Sequence, residues 1–236
     1  MTAAGDNQRT VALLWGEAIT PTRGPKPTLS AARIARTAID IADTEGLAAV
    51  SMQRVAASFE YTTMSLYRYV GGKAALVELM VDIALESPPA PDASADWRAR
   101  LETWAQAGLE RYRRHPWLLG AATAEHRVMG PHELSWLEAA LDALSGTPLT
   151  VPEKHDAFLV INGHVRNVAQ ELAHSGGDAE WNATMSGILD RHGDRFPTLT
   201  AALSSGEHHT VGADSLQFGL ACILDGLAAQ IARRQR

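Results

Sequence analysis

The stretch that decides the fold runs Ser51-Met52-Gln53-Arg54-Val55-Ala56 and, after a short polar break, Thr62-Thr63-Met64-Ser65-Leu66-Tyr67-Arg68-Tyr69-Val70. Ser51 is a good helix cap, because its hydroxyl can take a backbone N–H that has no partner in the first turn. Val55 and Phe59 behind it fall on one side of a helix. In the second segment Leu66 and Val70 are one helical turn apart and can pack inward, which leaves Thr63, Ser65, Tyr67 and Arg68 facing outward. Gly71-Gly72 stops the segment. A short helix, a tight break and a second helix with one apolar and one hydroxylated, basic side describe a helix-turn-helix. Such a helix lies in the major groove of DNA, where hydroxyls suit phosphate oxygens and Arg68 can reach a guanine edge or a phosphate.

On the N-terminal side, Ser30 opens a helix with Ile34, Ala38, Ile41 and Ala42 on its inner face, and Gly46 ends it. Residues 1–29 are rich in Gly, Pro and Thr, with one apolar patch from Val11 to Trp15. Arg23-Gly24-Pro25-Lys26-Pro27 cannot be helix interior, so this segment reads as a mostly flexible arm, with Arg23 and Lys26 available to DNA. On the C-terminal side, Leu76, Leu79, Met80 and Ile83 mark a helix from about Lys73 to Glu86. The breaker stretch Pro88, Pro89, Pro91, Ser94 and Asp96 places a boundary after it. The expected division is an arm over 1–29, a helix-turn-helix unit over 30–86 and a larger helical unit over 87–236.

That larger unit has helical periods throughout: Trp97, Leu101, Trp104, Gly108 and Tyr112; Trp117 to Glu125; Leu134, Leu137, Leu141 and Leu144; Phe158, Ile161, Val165, Val168 and Leu172; Trp181, Met185 and Ile188; and Leu216, Leu220, Ile223, Leu227 and Ile231. No stretch alternates with the period of a strand, so the class is all-α: a three-helix head followed by a larger helical domain. The net charge is −6, yet the chain through Lys73 holds eight basic and six acidic residues, so the acid excess lies in the rest. A mildly basic head on an acidic body fits contact with DNA at one end. The single cysteine, Cys222, excludes an internal disulfide and reads as a buried thiol. No apolar run reads as a membrane span and residues 1–9 lack a secretory pattern, so the expected compartment is the cytoplasm, with no membrane partner.

Residues 33–80 resemble the DNA-binding head of TetR-family repressors. The resemblance rests on Ile34-Ala35-Arg36-Thr37-Ala38, Glu45-Gly46-Leu47, Ser51 to Ala56, and Leu66-Tyr67-Arg68-Tyr69-Val70 followed by Lys73 and Leu76. It implies that Gln53 faces a base or the backbone, that Thr63, Met64 and Ser65 lie at the groove, and that Tyr67, Tyr69 and Lys73 meet phosphates. The family often has glycine in the turn, where this chain has Glu60-Tyr61, which asks Glu60 for a positive φ. Arg54 reads as a solvated or salt-bridged surface residue rather than a base reader. The C-terminal part, above all Phe218-Gly219-Leu220 and Ile223-Leu224-Asp225-Gly226-Leu227, resembles a tetracycline-repressor-like C-terminal domain. It implies a homodimer on a palindromic operator, paired through the helices near 153–175 and 213–233.

A small-molecule effector is the least specified part. Trp104, Trp117 and Trp136, with the small Gly108 nearby in sequence, suit a planar, apolar or aromatic compound. His164, Asn167 and Glu171 share a helix face and could point into a cavity, although each also reads as a polar group satisfied by its neighbours. The resemblance places His126 and Met129 where the family's ligand loop runs. Glu207-His208-His209 reads as a solvated loop, and no cluster has metal-ligand spacing, so neither metal nor cofactor is expected. A DNA-binding regulator without an effector is the alternative, separated from the first reading by whether the body holds a cavity. An enzyme is disfavoured because the chain has no Gly-x-Ser-x-Gly elbow, no Gly-rich phosphate loop and no His-Glu-x-x-His.

Overall fold

The computed structural model describes residues 3–17, 29–121, 128–174, 178–204 and 213–236. The helices in chain order are α1 (Ala3–Leu14), α2 (Ala31–Glu45), α3 (Met52–Ala57), α4 (Thr63–Val70), α5 (Lys73–Leu85), α6 (Trp97–Arg114), α7 (Leu118–Ala121), α8 (Pro131–Ala143), α9 (Val151–His174), α10 (Asp178–His192), α11 (Pro197–Ser204) and α12 (Ala213–Arg234). No strand occurs among the described residues. The breaks fall where the chemistry requires them. Ser30 Oγ accepts from Arg33 N (3.2 Å) and Ser51 Oγ from Arg54 N (3.1 Å), capping α2 and α3. Asp96 caps α6 through Ala99 N (2.9 Å). At the start of α9, Thr150 N donates to Glu153 Oε2 (2.8 Å), while Glu153 N meets Thr150 Oγ1 (3.5 Å), a reciprocal capping box. Gly46 and Gly71 end α2 and α4 with φ of 82° and 71°.

The buried side chains form two clusters. One gathers Ile34, Ala38, Val55, Leu66, Val70, Leu76 and Met80 from α2 to α5. The other gathers Leu101, Trp104, Trp136, Ile161, Val165, Leu220 and Leu224 from α6, α8, α9 and α12. Leu85 and Tyr112 pack against both. Each fully buried leucine contributes about 2–3 kcal/mol, so α4, which buries Leu66 and Val70, is held by its packing and not by its own eight-residue length.

Four expectations require correction. Residues 3–14 are helical, and Leu14 is buried in the first cluster against α5, so this part of the segment is not a free arm. The apolar patch from Val11 explains it, because Leu13 and Leu14 gain cover that a flexible arm would forgo. Arg23 and Lys26 lie outside the described residues. Trp117, counted above with the body, belongs to the first cluster: it is 7% exposed and its Nε1 donates to Asp43 Oδ1 of α2 (2.7 Å). His115 Nδ1 donates to the same oxygen (2.8 Å), so the α6–α7 turn is tied to the first helix of the head. Cys222 is exposed rather than buried, because α12 buries Leu216, Leu220 and Leu224 on a different face. Finally, α12 from Asp214 to Arg234 is long and apolar enough to cross a membrane by length and composition, contrary to the sequence reading, and only 22% of that stretch is buried. Its contacts with α9 and the Arg234–Glu153 ion pair (2.5 Å) are those of a packed helix with one uncovered apolar side.

Candidate functional sites: the recognition helix and the interhelical cavity

Helix α4 presents its two sides as the spacing dictates. Leu66 and Val70 are 0% and 1% exposed, whereas Met64 is 73% exposed. Tyr67, Arg68 and Tyr69 are exposed, and Thr63 and Ser65 are partly buried. Ser65 Oγ and Thr62 Oγ1 are 3.0 Å apart and share a hydrogen bond at the start of the helix. The Tyr67 ring runs beside Gly72, where an added Cβ would sit 3.8 Å from its Cε1. Gln53 on α3 and Lys73 at the first position of α5 are also exposed. Glu60 takes φ 59°, as the turn without glycine requires, a backbone state that disfavours an L residue by about 1–2 kcal/mol. Arg54 pairs with Glu45, consistent with the surface role read from the sequence.

A cavity of about 220 Å³ opens between α5, α6, α8 and α9. Trp104, Gly108, Trp136, Phe158 and Val165 form apolar wall, and Val81 and Leu85 contribute the face of α5. The ring of Trp104 meets Trp136 edge-on at 5.6 Å and Phe158 edge-on at 5.8 Å. The walls are pinned by their polar edges. Trp104 Nε1 donates to Trp136 O (2.9 Å), and Trp136 Nε1 donates to Glu86 O (3.0 Å) at the end of α5. Asp82, 4% exposed on α5, accepts from His132 N (2.9 Å) and Glu133 N (3.2 Å) and so caps α8. Gly130 permits this close approach, because a Cβ there would collide with the Asp82 carboxylate. The cavity is therefore bounded by α5 on one side and by α8, which is bonded to α5, on another.

Of the residues read from the sequence, Trp104, Gly108, Met129 and Trp136 line this cavity. Trp117 does not; its neighbour Leu118 does, while the indole faces Asp43. His126 and the Glu207-His208-His209 segment lie outside the described residues. His164, Asn167 and Glu171 are not among the lining residues. His164 Nε2 donates to Leu216 O (3.1 Å), and its ring abuts Gly219, so it is a satisfied contact between α9 and α12. Asn167 and Glu171 are exposed. The polar groups of α9 that do line the cavity are Asn162 and Arg166. Asn162 lies two residues before His164, a rotation of about 200° on an α-helix, so the two polar rows of α9 face different sides. Glu133 of α8 also lines the cavity. The signal that could have found the α9 pair is its position between apolar stripe residues: Asn162 follows Ile161, and Arg166 follows Val165.

Comparison with known proteins finds relatives over most of the chain. The family described as "Tetracyclin repressor-like, C-terminal domain" matches residues 89–231. The "HTH-type transcriptional repressor DrrR1" of Streptomyces coeruleorubidus is 38% identical, over 98% of this chain and 89% of that protein. Among solved structures, apo ActR of Streptomyces coelicolor superimposes with a TM-score of 0.71 at 26% identity, covering 87% of this chain and 98% of that one. ActR in complex with actinorhodin gives 0.71 at 25% identity, with the same coverage. BioQ with its double-stranded DNA operator shares the fold, with a TM-score of 0.60 at 18% identity over 86% of this chain and 99% of that one. The chain belongs to the TetR family of transcriptional repressors, and its body is a tetracycline-repressor-like C-terminal domain.

Proposed function

We propose that this protein is a dimeric repressor that binds a palindromic operator through α4 and releases it when a small apolar or aromatic molecule occupies the interhelical cavity. The observation that carries the gating is the placement of Val81 and Leu85 in the cavity wall. Both belong to α5, the helix that begins at Lys73 in the head and packs on α2. An occupant thus touches the helix that sets the head's orientation. It shifts the equilibrium only as far as it binds the released state more tightly than the DNA-bound one.

In this reading, residues 30–86 form the DNA-binding unit and residues 87–236 the effector-binding and dimerisation unit. Gln53, Thr63, Met64, Ser65, Tyr67, Arg68, Tyr69 and Lys73 contact DNA. The exposed Met64 suits a thymine methyl, and Lys73 at a helix start suits a phosphate. The dimer forms on the uncovered apolar side of α9 and α12, where Val151, Leu159, Val160 and Phe218 are 75%, 50%, 55% and 76% exposed. The protein acts in the cytoplasm, as a binder and not as an enzyme. The complex of ActR with actinorhodin supports a small-molecule effector by similarity.

The test challenges the operator complex with a panel of bicyclic and tricyclic aromatic compounds, actinorhodin among them. Release by at least one compound in the wild type, lost in Gly108→Leu, supports gating. Retention of the operator against the whole panel favours the regulator without an effector.

A further inference from the structure

Arg166 lines the cavity from α9, among Phe158, Val165 and the two tryptophans. Its Nε is shielded from solvent and has no hydrogen-bond partner; it is the orphaned buried side-chain polar atom among the described residues. Arginines commonly bury their stem and extend the charged head into water. Here the shielding reaches Nε. Among the arginines of α6, which are partly buried like Arg166, Arg98 pairs with Asp225, Arg100 with Asp142 and Arg111 with Glu86. Leaving a charged donor desolvated and unpaired destabilises a fold, and such groups call for a partner.

We propose that this partner is the ligand, and that Arg166 anchors a carboxylate on a planar, otherwise apolar molecule. The inference rests on the reading of the cavity as the effector site and adds the ligand's charge to it. The Nε–H and an adjacent Nη–H form one edge of a planar fork that matches a carboxylate in two parallel hydrogen bonds. Asn162, one helical turn before Arg166, adds an amide on the same wall. The aromatic rings supply flat apolar surface for the body of the ligand. Glu133 of α8 also lines the cavity and has an interaction of its own. Its carboxylate repels a second acid and orients the ligand's acidic end toward α9.

The test uses the full-length protein and two probes of equal shape, naphthalene-2-carboxylate and naphthalene-2-carboxamide, titrated by calorimetry at fixed ionic strength. The wild type is expected to bind the acid about tenfold or more tightly than the amide, because the charge-assisted pair is stronger than a neutral hydrogen bond. Arg166→Gln is expected to erase that preference, with acid binding falling much more than amide binding, and Arg166→Lys to keep part of it. Equal affinity of the wild type for the two probes overturns the assignment, as does uptake of neither up to millimolar concentration. Preference surviving in Arg166→Gln overturns it too. The wild-type comparison stands even where a variant does not fold. Operator release is read separately: a protein that prefers the acid but holds its operator regardless keeps Arg166 as the anchor and loses the gating.

Discussion

The head and the body carry their functional groups in opposite ways. In the head, a single eight-residue helix buries Leu66 and Val70 on one side, which leaves Met64, Tyr67, Arg68 and Tyr69 exposed on the others. In the body, four helices distant in sequence turn theirs inward around a cavity, and the Nε of Arg166 is left without a hydrogen-bond partner. DNA is a large external partner, so its site needs a stable convex edge. A small apolar ligand must be taken out of water, so its site needs a concavity, and concavities are made between elements. Helix α5 belongs to both regions, with Lys73 at one end and Leu85 in the cavity wall at the other.

The comparison can be broken most forcefully at the buried side of α4. Leu66→Ala is expected to destabilise the protein by about 2–5 kcal/mol through the cavity it leaves, read as a fall in the urea midpoint. An unchanged midpoint would mean that the inner face of α4 is not packed as described. On the outer face the expectation reverses. Tyr67→Ala and Lys73→Ala should leave the midpoint nearly unchanged and weaken operator binding on the order of tenfold, with the salt slope of Lys73→Ala reduced by about one. A loss of stability without a loss of affinity would make these residues structural.

In the body, Gly108→Ala probes the cavity from the helix that forms its wall. The new methyl would lie 3.6 Å from Val165 Cγ1 and 3.7 Å from Trp136 Cζ3, ordinary contacts. Stability should rise by about 0.5–1 kcal/mol from the better helix propensity. A fall would mean that the space beside Gly108 is already filled. The smallest effect concerns the α9–α12 seam. The backbone N–H of Thr150, then its hydroxyl, then Arg234 hold the Glu153 carboxyl below its ordinary range. A carboxylate whose pKa is depressed by folding stabilises the fold above its unfolded pKa, and the contribution is lost as pH falls through the folded one. Glu153→Gln should therefore make the acid side of the stability curve slightly shallower, and an identical curve would remove the capping box from the account.

The difference between the two regions also explains how far the sequence could be read. The helix-turn-helix was legible because its determinants are local: Ser51 as a cap, Leu66 and Val70 one turn apart, glycines at the stop, and a strained Glu60 where glycine is usual. The long helices of the body were legible from their stripes. Their rotation about their own axes was not, because it is set by neighbours far along the chain. On α9 the row His164, Asn167 and Glu171 and the pair Asn162 and Arg166 are both polar, and only the packing of α9 turns the second toward the cavity. Trp117 was misplaced for a related reason. Its position in the chain puts it in the body, but its indole is fixed by Asp43 of the head. The helix at Ala3–Leu14 was missed because its stability comes from α5, beyond a proline-rich segment that suggested an arm.

The most direct test of the central claim is selection of bound sequences from random duplex DNA by the full-length protein, followed by binding to the selected sequence across a salt series. The expected result is a palindrome, bound by a dimer with a steep loss of affinity as salt rises, which also supplies the operator for the release experiment. Recovery of no consensus, with only weak binding that salt abolishes equally for every sequence, would contradict the assignment of α4 as a sequence-reading helix.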